Sequence, residues 1–399
     1  MKLKISPSRA CGTVSAPPSK SMAHRALIAA SLSAGESRLS PLAPSQDILA
    51  TMDVMHGLGA DFLQERDTVT VHGVSFPVPR GEVLRCRESG STLRFAIPLC
   101  LLTGEKIVLE GSPRLMERPL SVYEELCASR GFLFQREGNR LIVKGKLEAG
   151  DYTVPGNISS QFITGLLFAL SLLPGESRLR VTGRWESASY LDMTLSAMKD
   201  FGVSVAREGK DFLLQPGSYR PRIYTVEGDW SNAAFLEGFS VLGGEVSVEG
   251  LREDSLQGDR VYRRHFQGIS QGFYRADLSD CPDLGPVLMV MAALFHGAAF
   301  TGTARLKIKE SDRGAAMAEE LKKCGVLVRL EENAVRVFPD GLHSPAETLC
   351  GHNDHRIVMA LSLLLSRLGG ELVGAEAVTK SYPNFFEEIR KLGIKVKEL

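Results

Sequence analysis

The sequence has no surplus charge of either sign. Forty-seven lysines and arginines are matched by 47 aspartates and glutamates, so no overall field draws the 399-residue chain to nucleic acid or to an anionic membrane. Any anion it binds must be held locally. Cysteine is sparse and scattered: Cys11, Cys86, Cys100, Cys127, Cys281, Cys324 and Cys350 are odd in number and contain no Cys-x-x-Cys pair. That argues against zinc or a disulfide framework and for free thiols in a reducing compartment. No apolar run is long enough to span a bilayer comfortably, and the longest, residues 286–300, contains His296 and Gly297. Residues 1–10 hold basic side chains but no apolar core of a secretory signal, so a cytoplasmic location is expected. Walker loops, the Rossmann glycine fingerprint and the Gly-x-Ser-x-Gly elbow are all missing.

What the chain does contain is a repeat. At this length two domains are the default. Six stretches begin with a small polar turn, continue as a short apolar helix and end near glycine: residues 19–35, 89–104, 159–175, 231–243, 281–297 and 353–370. Most are spaced about 70 residues apart and one pair about 50. Alternating strands follow most of them, at 36–40, 106–110, 177–181 and 245–249. Between them lie amphipathic helices at 48–58, 121–129, 191–201, 315–324 and 385–392, each stopping at a glycine and each followed by strand-like alternation, as at 203–206 and 326–330. The pattern is α/β, with three units before about residue 225 and three after it, hence two similar domains.

The stretch 17–25, Pro-Pro-Ser-Lys-Ser-Met-Ala-His-Arg, reads as the start of a helix. Pro17 and Pro18 forbid helix before it, and Ser19 or Ser21 can cap it. Lys20 and Arg25, read as lying in its first turn, each meet the positive end of the helix dipole at a cost of about 0.3 to 1 kcal/mol. A bound anion removes that conflict. Polar residues gather at the other helix starts as well: Ser91, Arg94, Ser159, Ser160, Gln161, Asp283, Asp354, His355 and Arg356. If the helices of a domain run roughly parallel, their N-termini converge, and two such faces make a cleft suited to a small polyanion.

Three further clusters carry charge. Residues 112–119 form a proline-stiffened loop with Arg114, Glu117 and Arg118; residues 307–313 bring Lys309, Glu310, Asp312 and Arg313 together between a strand and a helix; residues 380–383 put Lys380 in a turn. His352 and His355 stand three apart with no cysteine or third histidine near, which is no metal-ligand set, so no metal is expected. Ser21 and Ser160 have no evident histidine base. The remaining groups suit phosphate and carboxylate stabilisation, with Glu310, Asp283 and Lys20 available for proton transfer.

Along essentially its whole length the sequence resembles the 5-enolpyruvylshikimate-3-phosphate synthases, an enolpyruvyl transferase family of the shikimate pathway. The matching blocks are 18–21 with Arg25, 89–94, 113–114 with 117–119, 159–161, 282–283, 309–313, 353–356 and 380–383. The resemblance implies two similar α/β domains, each of three βαβαββ units in an inside-out α/β barrel, joined by a two-stranded hinge. Residues 19–225 would form one domain, and residues 1–18 with 226–399 the other. It implies transfer of the enolpyruvyl group of phosphoenolpyruvate to the 5-hydroxyl of shikimate 3-phosphate with release of phosphate, in aromatic amino-acid biosynthesis, without metal or organic cofactor, by a monomer.

Carried over position by position, the resemblance implies that Lys20, Ser21, Arg25, Ser159, Ser160, Gln161, Ser187, Asp283 and Lys309 hold shikimate 3-phosphate. Phosphoenolpyruvate would be held by Lys20, Gly90, Arg114, Gln161, Arg313, Arg356 and Lys380. Asp283, Glu310 and Lys20 would move protons. Glu88 and Arg305 stand where the family commonly has asparagine, and Ser91 where it has threonine, so Glu88 and Arg305 are left out of the site. Gly90 implies inhibition by glyphosate. The UDP-N-acetylglucosamine enolpyruvyl transferases share the architecture but have Lys-Asn where this chain has Lys20-Ser21, and a reactive cysteine in the loop that here carries Arg114. An inactive scaffold of the same fold would not require Glu310 and Asp283.

Overall fold

The computed structural model describes residues 1–183, 185 and 187–399. The chain divides into two compact units. Residues 18–227 form an inserted unit, and residues 1–17 with 228–399 form a split unit. Each has its own apolar core, and each core is made chiefly of the helices that begin in polar turns. In the inserted unit these are Lys20–Ser31, Gly90–Cys100 and Ser160–Leu170, whose side chains are buried almost all round. A helix apolar on every side belongs in the middle of a domain, with sheets outside it.

Three four-stranded sheets cover the inserted core. In the second, Val83–Arg87 runs parallel to Ile107–Gly111, which pairs antiparallel with Arg140–Lys144, itself flanked by Leu133–Glu137. The third repeats this order with Asp151–Pro155, Ser177–Thr182, Asp211–Leu214 and Ala206–Glu208. The first is closed by a strand from the far end of the unit: Ile223–Thr225 lies parallel to Gly35–Ser40. The fold is thus mixed α/β built from repeats, as the periodicity indicates.

The split unit has two such sheets. Leu349–Cys350, Gly370–Val373, Lys2–Ser6 and Lys395–Glu398 make one, so both ends of the chain are paired into it; Tyr274–Asp277, Ala298–Thr301, Ala334–Phe338 and Leu327–Leu330 make the other. Among the described residues its third sheet has only Cys11–Ser15 and Glu245–Glu249. Among the described residues the chain passes from Glu249 to the helix Tyr262–Gln271 and directly into the next sheet, without an antiparallel pair. This abbreviated unit is the physical basis of the one short interval in the repeat.

Helix ends follow local chemistry. Ser19, Ser45, Ser89, Ser112 and Ser159 are side-chain N-caps, so of the two serines able to cap the first helix it is Ser19 that does so. Gly202 and Gly325 take φ of 90° and 78° immediately after helices, a conformation that side-chain-bearing residues disfavour. The alternation at 203–206 does not become a strand there; the strand begins at Ala206.

Candidate active site

In the inserted unit the helix starts are cross-linked by polar side chains. Thr51 and Thr92 share a hydrogen bond of 2.7 Å, and His24 meets Thr51 at 2.7 Å, tying three helices together. Burial first, then Lys20 and Arg25, hold the His24 imidazole well below its usual pKa, so it stays neutral. Lys20 is the first residue of its helix and donates to Asp47 Oδ2 at 2.8 Å. A countercharge for Lys20 is therefore built into the protein. Asp47 was not legible as a partner, because it lies 27 residues along the chain and is brought in by the packing of Gln46–Gly57.

Arg25 is the sixth residue of that helix and so falls in its second turn, not its first. It is buried and donates from Nε to Thr194 Oγ1 at 2.8 Å and from its terminal nitrogens to the carbonyls of Ser21 and Tyr190. Burial lowers its pKa to about 10. Gln161 donates to Ser91 Oγ at 2.8 Å and accepts from Arg94 at 2.7 Å. Ser159 caps the helix that Ser160 and Gln161 begin. Ser21 is partly exposed beside Lys20, and Ser187 is buried with φ of 57° directly before Ala188–Asp200.

Gly90 is packed against a guanidinium: a Cβ added there would stand 2.4 Å from Arg118 Nη1. Arg118, buried, belongs to the charged loop 112–119 but is not among the residues that the resemblance assigns to the site. Arg114, by contrast, is exposed and lies 3.4 Å from Glu117.

In the split unit the predicted residues come together around Asp283. Its Oδ1 is 3.0 Å from Lys309 Nζ and 2.7 Å from Arg313 Nη1, and its Oδ2 is 3.6 Å from Arg356 Nη2. Arg313, 1% exposed, also reaches Glu310 at 2.7 Å and Asp354 at 2.8 Å. Asp354 caps the helix His355–Leu368 through the Arg356 amide, 2.9 Å away. Lys380 donates to the Asn353 carbonyl at 2.5 Å.

Burial alone would raise the Asp283 pKa, but Lys309, Arg356 and Arg313 outweigh it and hold the carboxyl well below its usual range. Lys309 is pushed down to about 8, chiefly by burial, with Asp283 opposing and Arg305 and Arg313 assisting. Arg305, left out of the site on sequence grounds, thus acts on it: it is buried, donates to the Ser279 carbonyl at 3.4 Å and biases Lys309.

These are groups for binding compact anions and moving protons. Folds of this kind are known. An EPSP synthase from Acinetobacter baumannii superposes with a TM-score of 0.78 at 22% identity over 100% of both chains. The enolpyruvyl transferase NikO from Streptomyces tendae does so with a TM-score of 0.79 at 14% identity, over 99% of this chain and 98% of that one. The chain therefore has the fold of the enolpyruvyl transferases. The family model described as EPSP synthase (3-phosphoshikimate 1-carboxyvinyltransferase) matches residues 5–271 and 263–389. A 3-phosphoshikimate 1-carboxyvinyltransferase of Clostridium kluyveri is 39% identical over 99% of this chain and 98% of its own length. That of Clostridioides difficile is 38% identical with the same coverage. The chain belongs to the EPSP synthase family, and its activity is enolpyruvyl transfer in the shikimate pathway.

Proposed function

We propose that the chain transfers the enolpyruvyl group of phosphoenolpyruvate to the 5-hydroxyl of shikimate 3-phosphate, with its residues divided as follows. In the inserted unit, Lys20, Ser21, Arg25, Ser159, Ser160, Gln161 and Ser187 bind shikimate 3-phosphate, while Lys20, Gly90, Arg114 and Gln161 bind phosphoenolpyruvate. In the split unit, Asp283 and Lys309 bind the first substrate, and Arg313, Arg356 and Lys380 the second. The observation that carries this reading is the cluster around Asp283, where three cations share one carboxylate.

The electrostatics suit turnover. Two unit charges 4 Å apart interact by about 4 kcal/mol at an effective dielectric near 20, so dianionic substrates need several cations. When substrate oxygens take up part of the charge of Lys309, Arg313 and Arg356, Asp283 is left with less compensation and becomes a stronger base. It can then accept the hydroxyl proton. Glu310 or Lys20 delivers a proton to the enol methylene, C2 is attacked by the hydroxyl oxygen to give a tetrahedral ketal, and the C–O bond to phosphate breaks as a proton is recovered. The reading requires no cofactor.

Phosphate release from phosphoenolpyruvate, assayed with shikimate 3-phosphate and with UDP-N-acetylglucosamine, tests the acceptor; release only with the second overturns it. Arg356→Ala is expected to lower kcat/KM at least about tenfold, or 1.4 kcal/mol, in a folded protein. A wild-type value removes Arg356 from the site. Gly90→Ala must displace the Arg118 guanidinium, so it is expected to weaken inhibition by glyphosate and raise KM for phosphoenolpyruvate. An unchanged inhibition constant rules out that contact.

We also propose a cytoplasmic monomer. All seven cysteines are free thiols, and no helix among the described residues is long and apolar enough to cross a membrane. Sedimentation at a mass other than about 43 kDa overturns the monomer.

A further inference from the structure

Residues 351–354 join the short strand Leu349–Cys350 to the helix His355–Leu368. Within this turn His352 and Asn353 both take the left-handed conformation, with φ of 48° and 50°. Two side-chain-bearing residues in succession adopt it only where their surroundings impose it. The front of the turn faces the cations: the Asn353 carbonyl accepts from Lys380, and Asp354 accepts from Arg313 and from the Arg356 amide.

The back of the turn rests on Glu320, whose side chain is fully buried. It accepts from the Cys350 amide at 2.9 Å, from His352 Nε2 at 2.7 Å and from Lys323 Nζ at 2.9 Å. Glu320 belongs to the helix Arg313–Lys322, two turns on from Arg313. One rigid element therefore carries a site cation at its start and, near its end, the anchor of the turn that holds that cation.

We propose that Glu320 and His352 are positioning residues for the anion-binding cations, fixing the left-handed turn from behind so that Asn353 and Asp354 keep Lys380, Arg313 and Arg356 in place for phosphoenolpyruvate. This rests on the assignment of those three cations made above. Neither residue is among those assigned to a substrate above. Their effect should fall on KM for phosphoenolpyruvate more than on kcat.

Protonation adds a signature that a purely structural role lacks. The charged and titratable groups around His352 are Glu320 and Glu319 on one helix, Lys323 at the C-terminal cap of that helix and Cys350 on the adjoining strand. The hydrogen bond to Glu320 raises the His352 pKa above 6.5, against burial and Lys323. The sign follows. The ion pair is complete at pH below 6.5 and is lost as pH rises through the raised value, where a neutral ring keeps the hydrogen bond but not the charge.

The test measures kcat and KM for phosphoenolpyruvate from about pH 6 to about pH 9 in the full-length enzyme, wild type beside His352→Ala, His352→Gln and Arg356→Ala. His352→Ala is expected to raise KM about fivefold with kcat within about twofold. His352→Gln, an uncharged donor, is expected to recover most of the loss. The ratio of wild-type to His352→Gln KM cancels titration of the substrate and should climb with pH. A ratio that stays flat, or a wild-type KM in His352→Ala while Arg356→Ala is impaired, overturns the positioning role and leaves the site assignment standing. If Arg356→Ala is also unimpaired, the site assignment itself fails, and this inference with it.

Discussion

Asp283→Asn is expected to lower kcat at least about 100-fold without raising KM for phosphoenolpyruvate. The amide is nearly isosteric, so the packing around the short helical turn Pro282–Leu284 survives, but it cannot accept the hydroxyl proton. Asp283 occupies Lys309, Arg313 and Arg356 before any substrate arrives. Removing its charge frees those cations for substrate oxygens, so affinity should hold or improve while turnover collapses. Steady-state kinetics with each substrate varied in turn separates the two effects. A kcat within about threefold of wild type means that the proton goes elsewhere.

The second large effect is on stability. Arg313→Ala removes a side chain that joins Asp283, Glu310 and Asp354, the last of which is fully buried. Asp283 keeps Lys309 and Arg356, but leaving the buried Asp354 carboxylate without its guanidinium costs about 3 to 5 kcal/mol. The denaturant midpoint of the full chain should drop accordingly, with Arg313→Lys intermediate because an ammonium keeps the charge but not the fork geometry. Acid reports the same linkage. Asp283 has a depressed pKa, so its stabilisation is fully present above 3.8 and is lost only as pH falls through the lower, folded-state value. The gap between wild type and Arg313→Ala should therefore be widest near neutrality and narrow in acid. Equal midpoints near neutral pH contradict the proposed role of this network.

Much of the charge cluster at the candidate site was legible in the residues themselves. Lys309, Glu310 and Arg313 lie within five positions of one another, and Asp354 caps the helix whose second residue is Arg356. Local chemistry of that kind survives in one dimension. Asp47 did not show, because it reaches Lys20 from the next helix; Arg118 and Arg305 stood in view as charges, but their contacts with Gly90 and with the Ser279 carbonyl are made by packing. Lys20 is the instructive case. A cation at a helix start with no acid nearby in sequence suggests an external anion, yet packing supplies a carboxylate from the next helix. That carboxylate is a resident countercharge, which any anion bound at Lys20 as proposed must outcompete or share.

Alternation of apolar helices with glycine-ended turns determined the repeat, the α/β class and the position of nearly every helix, because hydrophobic period and backbone freedom are properties of short stretches. Chain closure was decided in three dimensions. That Ile223–Thr225 completes the first sheet of the inserted unit, that both ends of the chain share one sheet of the split unit, and that one repeat lacks its antiparallel pair all depend on strands meeting across long separations. The charge states of Asp283, Lys309 and His352 were decided there too, since a pKa is set by burial and by whichever charges packing brings within a few ångströms.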